Sequence, residues 1–555
     1  MRKLCWSVMA VLLPLTASAG EGSADLVLSG GNLVTLDPAR PRATAVAVRG
    51  GRIVAVGGEA EVRPFVGPAT RRIDLKGRTV LPGLTDAHVH VMGLGQARES
   101  LSLVGAQSLD QALRRVAEKA KGLPPGEWVL GRGWDQNDWP EKRFPTAAEL
   151  DRVSGDRPVF LVRVDGHAGW ANSKALALAG VDRGTPDPPG GRIIRGPDNA
   201  PAGVLVDAAQ GLVAAKIPAA SRDTRKRHLA LGLKAAAEAG LTSVHDAGVD
   251  LDDVALYKEL LAEQALPIRV YVMLRGPREF LARGGALKPE VGLGDGRLSI
   301  RAIKAVADGA LGSRGALLLA PYSDEPGVSG LLTFDQADFG RLLERAAVQG
   351  FQVATHAIGD AANRLVLDAY QKALAGNGAA HRFRVEHAQI LALADVPRFK
   401  ALGVIPSMQP THCTSDMYWA EDRVGAERGK GAYLWKTFLK QGVPVAGGSD
   451  APVESIAVLP GIHAAITRQD AKGWPPEGWH PEESVTPLEA VQVFARDAAF
   501  AAFEEADRGS IAPGKRADFT VLTRDVTTIA PAEVLKTEIS LTMVGGEVVY
   551  QAPGR

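Results

Sequence analysis

The sequence predicts an α/β fold: a TIM-like (β/α)8 barrel, a β-sandwich built from both ends of the chain, and a subdomain inserted between the first two barrel strands. Three observations lead to this prediction. The middle of the chain alternates strand-like and helix-like segments, and eight of the segments have the composition of strands, the number that closes such a barrel. Both ends of the chain consist of short strand-like runs divided by turns. One interval between candidate barrel strands is much longer than the others.

The eight candidate barrel strands are short apolar runs that end in polar residues. Helices are predicted between them, and the clearest is RKRHLALGLKAAAEAG in residues 225–240. It ends at Gly240, a residue type that often follows the last turn of a helix. The strands, in chain order, are VLPGLTDAHVH, GLTSVHD, PIRVYVML, SIRAIKAVADG, GFQVATHAIGD, FRVEHAQI, GVIPSMQ and GVPVAGGSD.

The interval between the first and second candidate strands is about five times the length of an ordinary βαβ unit. We therefore predict an inserted subdomain in residues of about 100–225. The other predicted boundaries are a signal peptide in residues 1–19, the two parts of the β-sandwich in residues 20–80 and 508–555, and the barrel in residues 81–507.

The first nineteen residues have the pattern of a signal peptide. Arg2 and Lys3 precede an apolar run in residues 4–15, and residues 17–19 form a small-residue cleavage motif. The apolar run is too short to anchor the chain in a bilayer. We therefore expect an exported protein, periplasmic or secreted, without a membrane anchor. After cleavage Cys413 is the single cysteine, so no internal disulfide is expected.

This export prediction has a direct test. Protein recovered from the periplasmic or secreted fraction should begin at or near Gly20, because cleavage follows the small-residue motif. Intact-mass measurement checks this, and a mass that includes Met1 would contradict the prediction.

The charge balance argues against a highly charged partner. The 555 residues include 64 basic and 63 acidic side chains, which gives a formal net charge of +1. Domains that bind nucleic acid usually carry a clear excess of positive charge. We therefore predict a small-molecule substrate and no nucleic-acid partner, and a homo-oligomer stays open.

A pair of histidines ends the first candidate strand. His88 and His90 are two residues apart, and side chains alternate between the faces of a strand, so both imidazoles point to the same side. Two imidazoles on one side can bind a single metal ion. A pair of polar residues at the surface end of a strand is an equally good interpretation of this motif alone.

Polar residues at the other strand ends favour the metal centre. Barrel enzymes carry their reactive residues at the C-terminal ends of the strands, and five of the 11 histidines of the chain lie at such positions. Unrelated core histidines would not collect in this way. The strand-end residues, in order, are His88, His90, His245, Asp246, Lys304, Asp308, His356, His387 and Asp450.

This constellation resembles the amidohydrolase superfamily, and within it the branch of large amidohydrolases (amidohydrolase family 3) that includes YtcJ-like proteins and N-substituted formamide deformylases. The resemblance covers nearly the whole mature chain and specifies the family and its metal chemistry, while it leaves the substrate open. The motifs that carry it are LPGLTDAHVH, SVHDAG, IKAVADGALGSRGA, THAIGDAANR, RVEHAQI, SMQPTHCTSDM and GGSDAPV.

The resemblance implies two divalent metal ions, most naturally zinc. His88, His90 and Asp450 would bind the first ion, and His356 and His387 the second. Lys304, carboxylated by CO2, would bridge both ions. The bridge makes physical sense because Lys304 lies in an apolar run where an ammonium group is costly to bury. A lysine that pairs with Asp308 is the second interpretation.

The implied function is that of an exported metal-dependent hydrolase acting on C–N bonds other than ordinary peptide bonds, in an N-acyl or N-formyl compound. Water activated by the metals would attack the carbonyl carbon, with Asp450 as general base and then general acid. Two alternatives stay open: a mononuclear deaminase-like member, and a non-catalytic regulatory protein on the same scaffold. Two metals per chain would favour the first interpretation, and one would favour the deaminase-like member.

Five further residues are candidates for contacts with the substrate. His412 follows the seventh strand, Arg314 could meet a substrate carboxylate, and His245 ends the second strand. His167 and Trp134 would contribute from the insertion. Four of them also have a structural alternative: a hydrogen bond in the neighbourhood of Asp246 for His245, an ion pair for Arg314, an internally bonded turn for His167, and a core position for Trp134.

Overall fold

The computed structural model describes residues 22–124, 126–283, 287–374 and 376–553. Its centre is a barrel of eight parallel strands, one for each predicted run. Hydrogen bonds from the Asp450 N–H to the His88 carbonyl (2.7 Å) and from the His90 N–H to the Ala451 carbonyl (2.8 Å) join the last strand region to the first. The barrel prediction is therefore confirmed. The strands are β1 (Leu84–Val89), β2 (Leu241–Val249), β3 (Arg269–Arg275), β4 (Leu298–Val306), β5 (Gln352–Ala357), β6 (Arg384–His387), β7 (Ile405–Met408) and β8 (Ala446–Gly447).

The predicted helix before β2 is present as Arg222–Glu238. Ser221 caps its start by accepting a hydrogen bond from the Thr224 N–H (3.1 Å), and Gly240 follows its end with φ +89°. It packs so closely on the helix Val91–Ala97 that a Cβ atom on Gly95 would lie 1.7 Å from the His228 carbonyl oxygen. The other helices after β2 are Leu251–Ala262, Pro277–Ala282, Leu293–Gly296, Gln336–Gln349, Asp360–Leu374, Gly378–His381, Val396–Leu402, Pro410–Asp416, Ala420–Gly429, Trp435–Lys440, Val458–Thr467, Pro487–Val493, Arg496–Ala501 and Pro531–Val534.

Two sheets outside the barrel form the sandwich, and the larger contains strands from both ends of the chain. Thr79–Pro82 pairs antiparallel with Phe519–Leu522, and apolar side chains of both sheets share one core. The smaller sheet consists of Leu26–Ser29, Ala45–Arg49, Arg52–Gly57 and Arg71–Asp74. The larger consists of Asn32–Val34, Arg42–Ala43, Thr79–Pro82, Phe519–Leu522, Ile539–Val544 and Glu547–Gln551.

A buried ion pair joins the sandwich to the barrel. Arg269 donates two hydrogen bonds, of 2.7 and 2.9 Å, to the carboxylate of Asp518, and both side chains are almost fully buried. Burial raises the pKa of Asp518, but Arg269 and the Gly545 N–H lower it more, so the net shift is downward.

Asp518→Ala should lower the free energy of unfolding by about 3–5 kcal/mol, because it leaves a buried guanidinium without its partner. Glu118→Ala, which breaks an exposed pair with Lys121, should change it by less than about 1 kcal/mol. Because the folded pKa of Asp518 is lowered, its stabilisation is complete above about pH 4 and is lost in more acidic solution. Denaturant midpoints of the two variants check this, and equal midpoints would contradict it.

The insertion lies between β1 and β2, as predicted, and has a core of its own. A six-stranded sheet packs against helices, and Trp134, Trp139 and Trp170 are fully buried between them. The strands are Leu101–Ser102, Val129–Trp134, Val159–Arg163, Ala168–Ala171, Gly191–Arg195 and Pro201–Asp207. The helices are Leu109–Lys121, Ala147–Ser154, Ser173–Ala179 and Gln210–Ala214.

The predicted signal peptide, residues 1–19, lies outside the described residues, so export stays a prediction. None of the helices in the described ranges is both long and apolar enough to span a bilayer. Cys413 is buried and forms no disulfide with any other described residue.

Candidate metal centre

The six residues predicted to bind metal converge at the C-terminal end of the barrel. Nε2 of His90 lies 3.1 Å, and Nε2 of His88 3.6 Å, from Oδ1 of Asp450. The ring centroid of His387 lies 5.0 Å from that of His88 and 4.5 Å from that of His356. The barrel therefore brings together side chains that are up to 362 positions apart, between His88 and Asp450.

Three of the histidines are held so that Nε2 faces this centre. Nδ1 of His88 is bonded to the carboxylate of Glu386. Nδ1 of His90 lies 2.8 Å from the Ala247 carbonyl, and Nδ1 of His387 lies 2.8 Å from Oε1 of Gln409. Since each partner is an acceptor, Nδ1 carries the proton and the lone pair of Nε2 is left for a metal ion.

Lys304 lies on the inner face of β4 and is 6% exposed. Its Nζ is 3.1 Å from Nε2 of His88. Burial lowers the pKa of the Lys304 amine, and the charges of Glu386 and Asp450, which raise it, offset this only in part. This lowering favours the neutral amine, which is the form that reacts with CO2.

The alternative partner of Lys304, Asp308, is engaged elsewhere. Its carboxylate accepts hydrogen bonds from the N–H groups of Leu317, Ile358 and Gly359, at 2.8 to 3.0 Å. Oδ1 of Asp308 also lies 3.5 Å from Nε2 of His356. Burial raises the pKa of Asp308 to about 7 despite these N–H groups. Asp308 thus shapes the loops after β4 and β5 and holds no ion pair with Lys304 among the described residues.

Asp450 lies at the junction of the histidines. Burial raises its pKa, but the close approach of His90 and the charges of His88 and His387 lower it more, so the pKa lies well below its usual range. The chain adopts φ +60° at Asp450, a conformation that is uncommon for residues other than glycine. This backbone conformation turns the carboxylate from the end of β8 toward the centre.

Glu386 is a residue of the centre that the sequence pattern does not reveal. It is fully buried, bonds His88, and lies 2.7 Å from Nε of the equally buried Arg384. Burial raises the pKa of Glu386, but Arg384 and His88 lower it more. Glu386 precedes His387, and alternation would place their side chains on opposite faces; His387 has φ +73°, so the strand ends there and alternation no longer holds.

A cavity of about 520 Å³ lies over the centre, a size suited to a small molecule. The barrel contributes the centre itself as the floor, and the insertion contributes one wall. The wall includes Gly105, Asp135, Arg163, Asp165 and His167, and the loops after β7 and β8 add His412, Asp416, Trp419 and Glu454.

Two of the five predicted substrate contacts line this cavity. Nε2 of His412 is buried without a hydrogen-bond partner among the described residues, and it lies 3.8 Å from Oδ2 of Asp450. With His387 and Asp450, His412 forms a group whose ligand atoms lie within 4.8 Å of one another. His167 reaches the cavity from the insertion, and Nδ1 of its ring lies 2.6 Å from the carboxylate of Asp207.

The other three candidates lie elsewhere. Trp134 is fully buried in the core of the insertion, where its indole N–H donates to the Leu161 carbonyl (2.7 Å). Arg314 pairs with acidic side chains of its own loop, at 2.9 and 3.1 Å. His245 is buried inside the barrel, with Nδ1 3.0 Å from the guanidinium of Arg384. The structural alternative therefore describes the positions of Trp134 and Arg314, whereas His245 is bonded to Arg384 and not to a group near Asp246.

Comparisons with known proteins agree with this geometry. The family model described as "Amidohydrolase family" matches residues 71–550. YtcJ of Bacillus subtilis is 35% identical over 528 residues, which cover 94% of this chain and 98% of that protein. The N-substituted formamide deformylase of Arthrobacter pascens is 31% identical over 561 residues, 96% of this chain and 99% of that protein.

A solved structure agrees as well. An uncharacterized metal-dependent hydrolase from Pyrococcus horikoshii superposes with a TM-score of 0.73 at 27% sequence identity, covering 91% of this chain and 99% of the other. Family match, relatives and fold therefore lead to one conclusion: the chain is a hydrolase and belongs to the amidohydrolase family.

Proposed function

We propose that this protein is a binuclear metal-dependent amidohydrolase that hydrolyses the amide C–N bond of a small N-acyl or N-formyl compound. The observation that carries the proposal is the convergence of His88, His90, His356, His387, Lys304 and Asp450 beneath a cavity of substrate size.

The donor set fits two divalent ions. Nε2 of His356 is buried without a hydrogen-bond partner in the described part of the chain, and three other Nε2 atoms face the same centre. Imidazole and carboxylate ligands suit zinc. Two divalent ions repel each other, and neutral imidazoles do not offset that repulsion. Asp450 and a carboxylated Lys304 would supply the anionic ligands, and the burial of Lys304 disfavours its ammonium form.

Metal ions bound there would activate water and polarise the amide carbonyl. Asp450 is the base in this mechanism, because its carboxylate lies between the imidazoles at the floor of the cavity. It takes a proton from the attacking water and delivers it to the leaving nitrogen as the C–N bond breaks. The products are an acid and an amine. The free Nε2 of His412 lies beside Asp450 and is placed to contact the substrate carbonyl.

The cavity favours an amide without a carboxylate group. Arg163 donates to both Asp135 and Asp165, and His167 is bonded to Asp207. Outside the metal centre, the cationic side chains among the described lining residues are therefore already neutralised. A substrate carboxylate would lose its hydration without gaining an unpaired cation. The deformylase relative, whose name specifies N-substituted formamides, agrees with a neutral amide.

A matched substrate pair tests this proposal. Protein with quantified zinc should hydrolyse N-formylphenethylamine with a higher kcat/KM than N-formylphenylalanine, which adds only the carboxylate. A preference for the acidic substrate would overturn the charge assignment but keep the amidohydrolase. Absence of turnover with formamides, N-acyl amines, dipeptides and cyclic amides would overturn the proposed reaction and favour the regulatory alternative.

Metal stoichiometry separates the proposal from the deaminase-like alternative. Two zinc ions per active chain support the binuclear centre, since the bridging role given to Lys304 needs a second ion. One ion per fully active chain would favour the mononuclear alternative.

Glu386→Gln should weaken zinc binding by about 10- to 100-fold, because partners that orient ligating histidines typically contribute that much. The neutral amide holds the His88 ring less firmly and leaves Arg384 without its carboxylate. Chelator competition measures the affinity. Glu483→Gln is the matched control, since Glu483 is buried but bonds Thr437 far from the centre. Equal zinc affinity of the two variants would contradict the role given to Glu386.

A further inference from the structure

We propose that His167, held by Asp207, is a catalytic residue that the insertion contributes to the barrel, and that it hydrogen-bonds the scissile amide group through Nε2. This inference rests on the proposed amide hydrolysis. It gives the insertion a part in the reaction beyond that of a cavity wall.

The local fold fixes the backbone of both residues. His167 precedes the strand Ala168–Ala171, which pairs antiparallel with Pro201–Asp207. The Asp207 N–H donates to the His167 carbonyl (2.9 Å), and the His167 N–H donates to Oδ1 of Asp165 (3.0 Å). Two residues forty positions apart are therefore held side by side at the edge of the insertion that faces the barrel.

The side chains are fixed as well. Nδ1 of His167 lies 2.6 Å from Oδ1 of Asp207, so the ring cannot rotate without losing this bond. The other oxygen, Oδ2, is buried with no hydrogen-bond partner among the described residues. Asp207 has φ +48°, a strained conformation of the kind that persists where the surrounding structure enforces it.

The barrel is shaped to receive this pair. The loop after β4 carries Gly309 and Gly315, and a Cβ atom on either would lie 2.4 to 2.5 Å from Oδ2 of Asp207. Any larger residue there would push the aspartate away. The two glycines therefore leave room for the Asp207 carboxylate to contact the barrel.

The bond to Asp207 leaves Nε2 as the free end of the His167 ring. The ring lines the cavity, and its centroid lies 5.2 Å from that of His356. A histidine–aspartate pair that served packing alone would not need an open ring edge, yet 22% of the His167 side chain is exposed. A substrate whose carbonyl reaches the metal centre places its amide group within the same part of the cavity.

The test compares this pair with a second histidine–carboxylate pair, His228 and Glu99, whose atoms are 3.0 Å apart and which does not line the cavity over the metal centre. His167→Ala should lower kcat by about 100- to 1,000-fold, the effect of removing one hydrogen bond to the reacting group. KM should rise by about 10-fold at most, because the hydrogen bond is strongest in the transition state, and the content of two metals per chain should stay the same. Asp207→Asn should give a smaller loss, of at least about 10-fold. His228→Gln should leave all three quantities unchanged.

Binding supplies a second readout that does not depend on turnover. Calorimetry with benzohydroxamate, which presents an amide-like group without being cleaved, should give about 10-fold weaker binding to metal-loaded His167→Ala than to wild type. Unchanged kcat and unchanged hydroxamate affinity in that variant would overturn the role of His167. Wild-type protein that hydrolyses no amide would overturn the proposed function, and the calorimetry would then decide on His167 separately.

Discussion

Asp450→Asn should lower kcat by about 100- to 10,000-fold, the usual range for loss of a general acid–base group. The amide side chain has nearly the same shape, so it can occupy the same place between His88 and His90. It cannot accept the proton of the attacking water, and the leaving nitrogen then departs without a proton donor. Metal analysis of the purified variant should find most of the zinc still bound.

The control for this variant is Asp368→Asn, which removes an exposed carboxylate paired with Arg398 far from the cavity. It should have wild-type kcat and zinc content. Near-normal turnover of Asp450→Asn with two metals bound would contradict the role of Asp450, and proton transfer would then belong to another group.

Lys304→Ala should lose at least one zinc ion and nearly all activity. Without the carboxylated lysine, the remaining imidazoles and one carboxylate leave two divalent ions under-compensated. The truncation also opens a buried space beside His88, so formate or acetate with excess zinc should enter it and restore part of the activity. Metal-stripped wild-type protein should need bicarbonate together with zinc for full reactivation, because the metals stabilise the carbamate.

An ordinary buried lysine gives neither the rescue by formate nor the bicarbonate requirement. Lys174→Ala, which removes a partly exposed lysine paired with Asp156, is the matched control and should keep both metals. If Lys304→Ala retains two metals and full activity, the binuclear assignment is wrong and the deaminase-like alternative takes its place.

The barrel could be predicted because each of its strands can be recognised from a short stretch of sequence. Each strand is a short apolar run, and parallel strands buried on both faces have this composition. His88 and His90 could be recognised because one alternation rule relates them. Glu386 was missed because the chain leaves the strand at His387, where φ is +73°, and the rule fails at that residue.

The cavity wall could be predicted only in part, at His167 and His412, because the rest depends on contacts between distant residues. His167 has its role through Asp207, and nothing in the sequence joins the two. A tryptophan suits a cavity wall and a hydrophobic core equally well, and Trp134 lies in the core of the insertion. From the sequence, Arg314 is a reasonable contact for a substrate carboxylate. In the structure it is paired with acidic side chains of its own loop.

The pairing of Thr79–Pro82 with Phe519–Leu522 has a consequence for biosynthesis. On its other edge Thr79–Pro82 pairs with Asn32–Val34, so this part of the larger sheet can form early in synthesis. The partner on the open edge, however, follows roughly 440 residues later, on the order of 20 to 90 s of translation. Through that interval an apolar strand edge is available to other chains. We therefore expect chains truncated before Phe519 to aggregate.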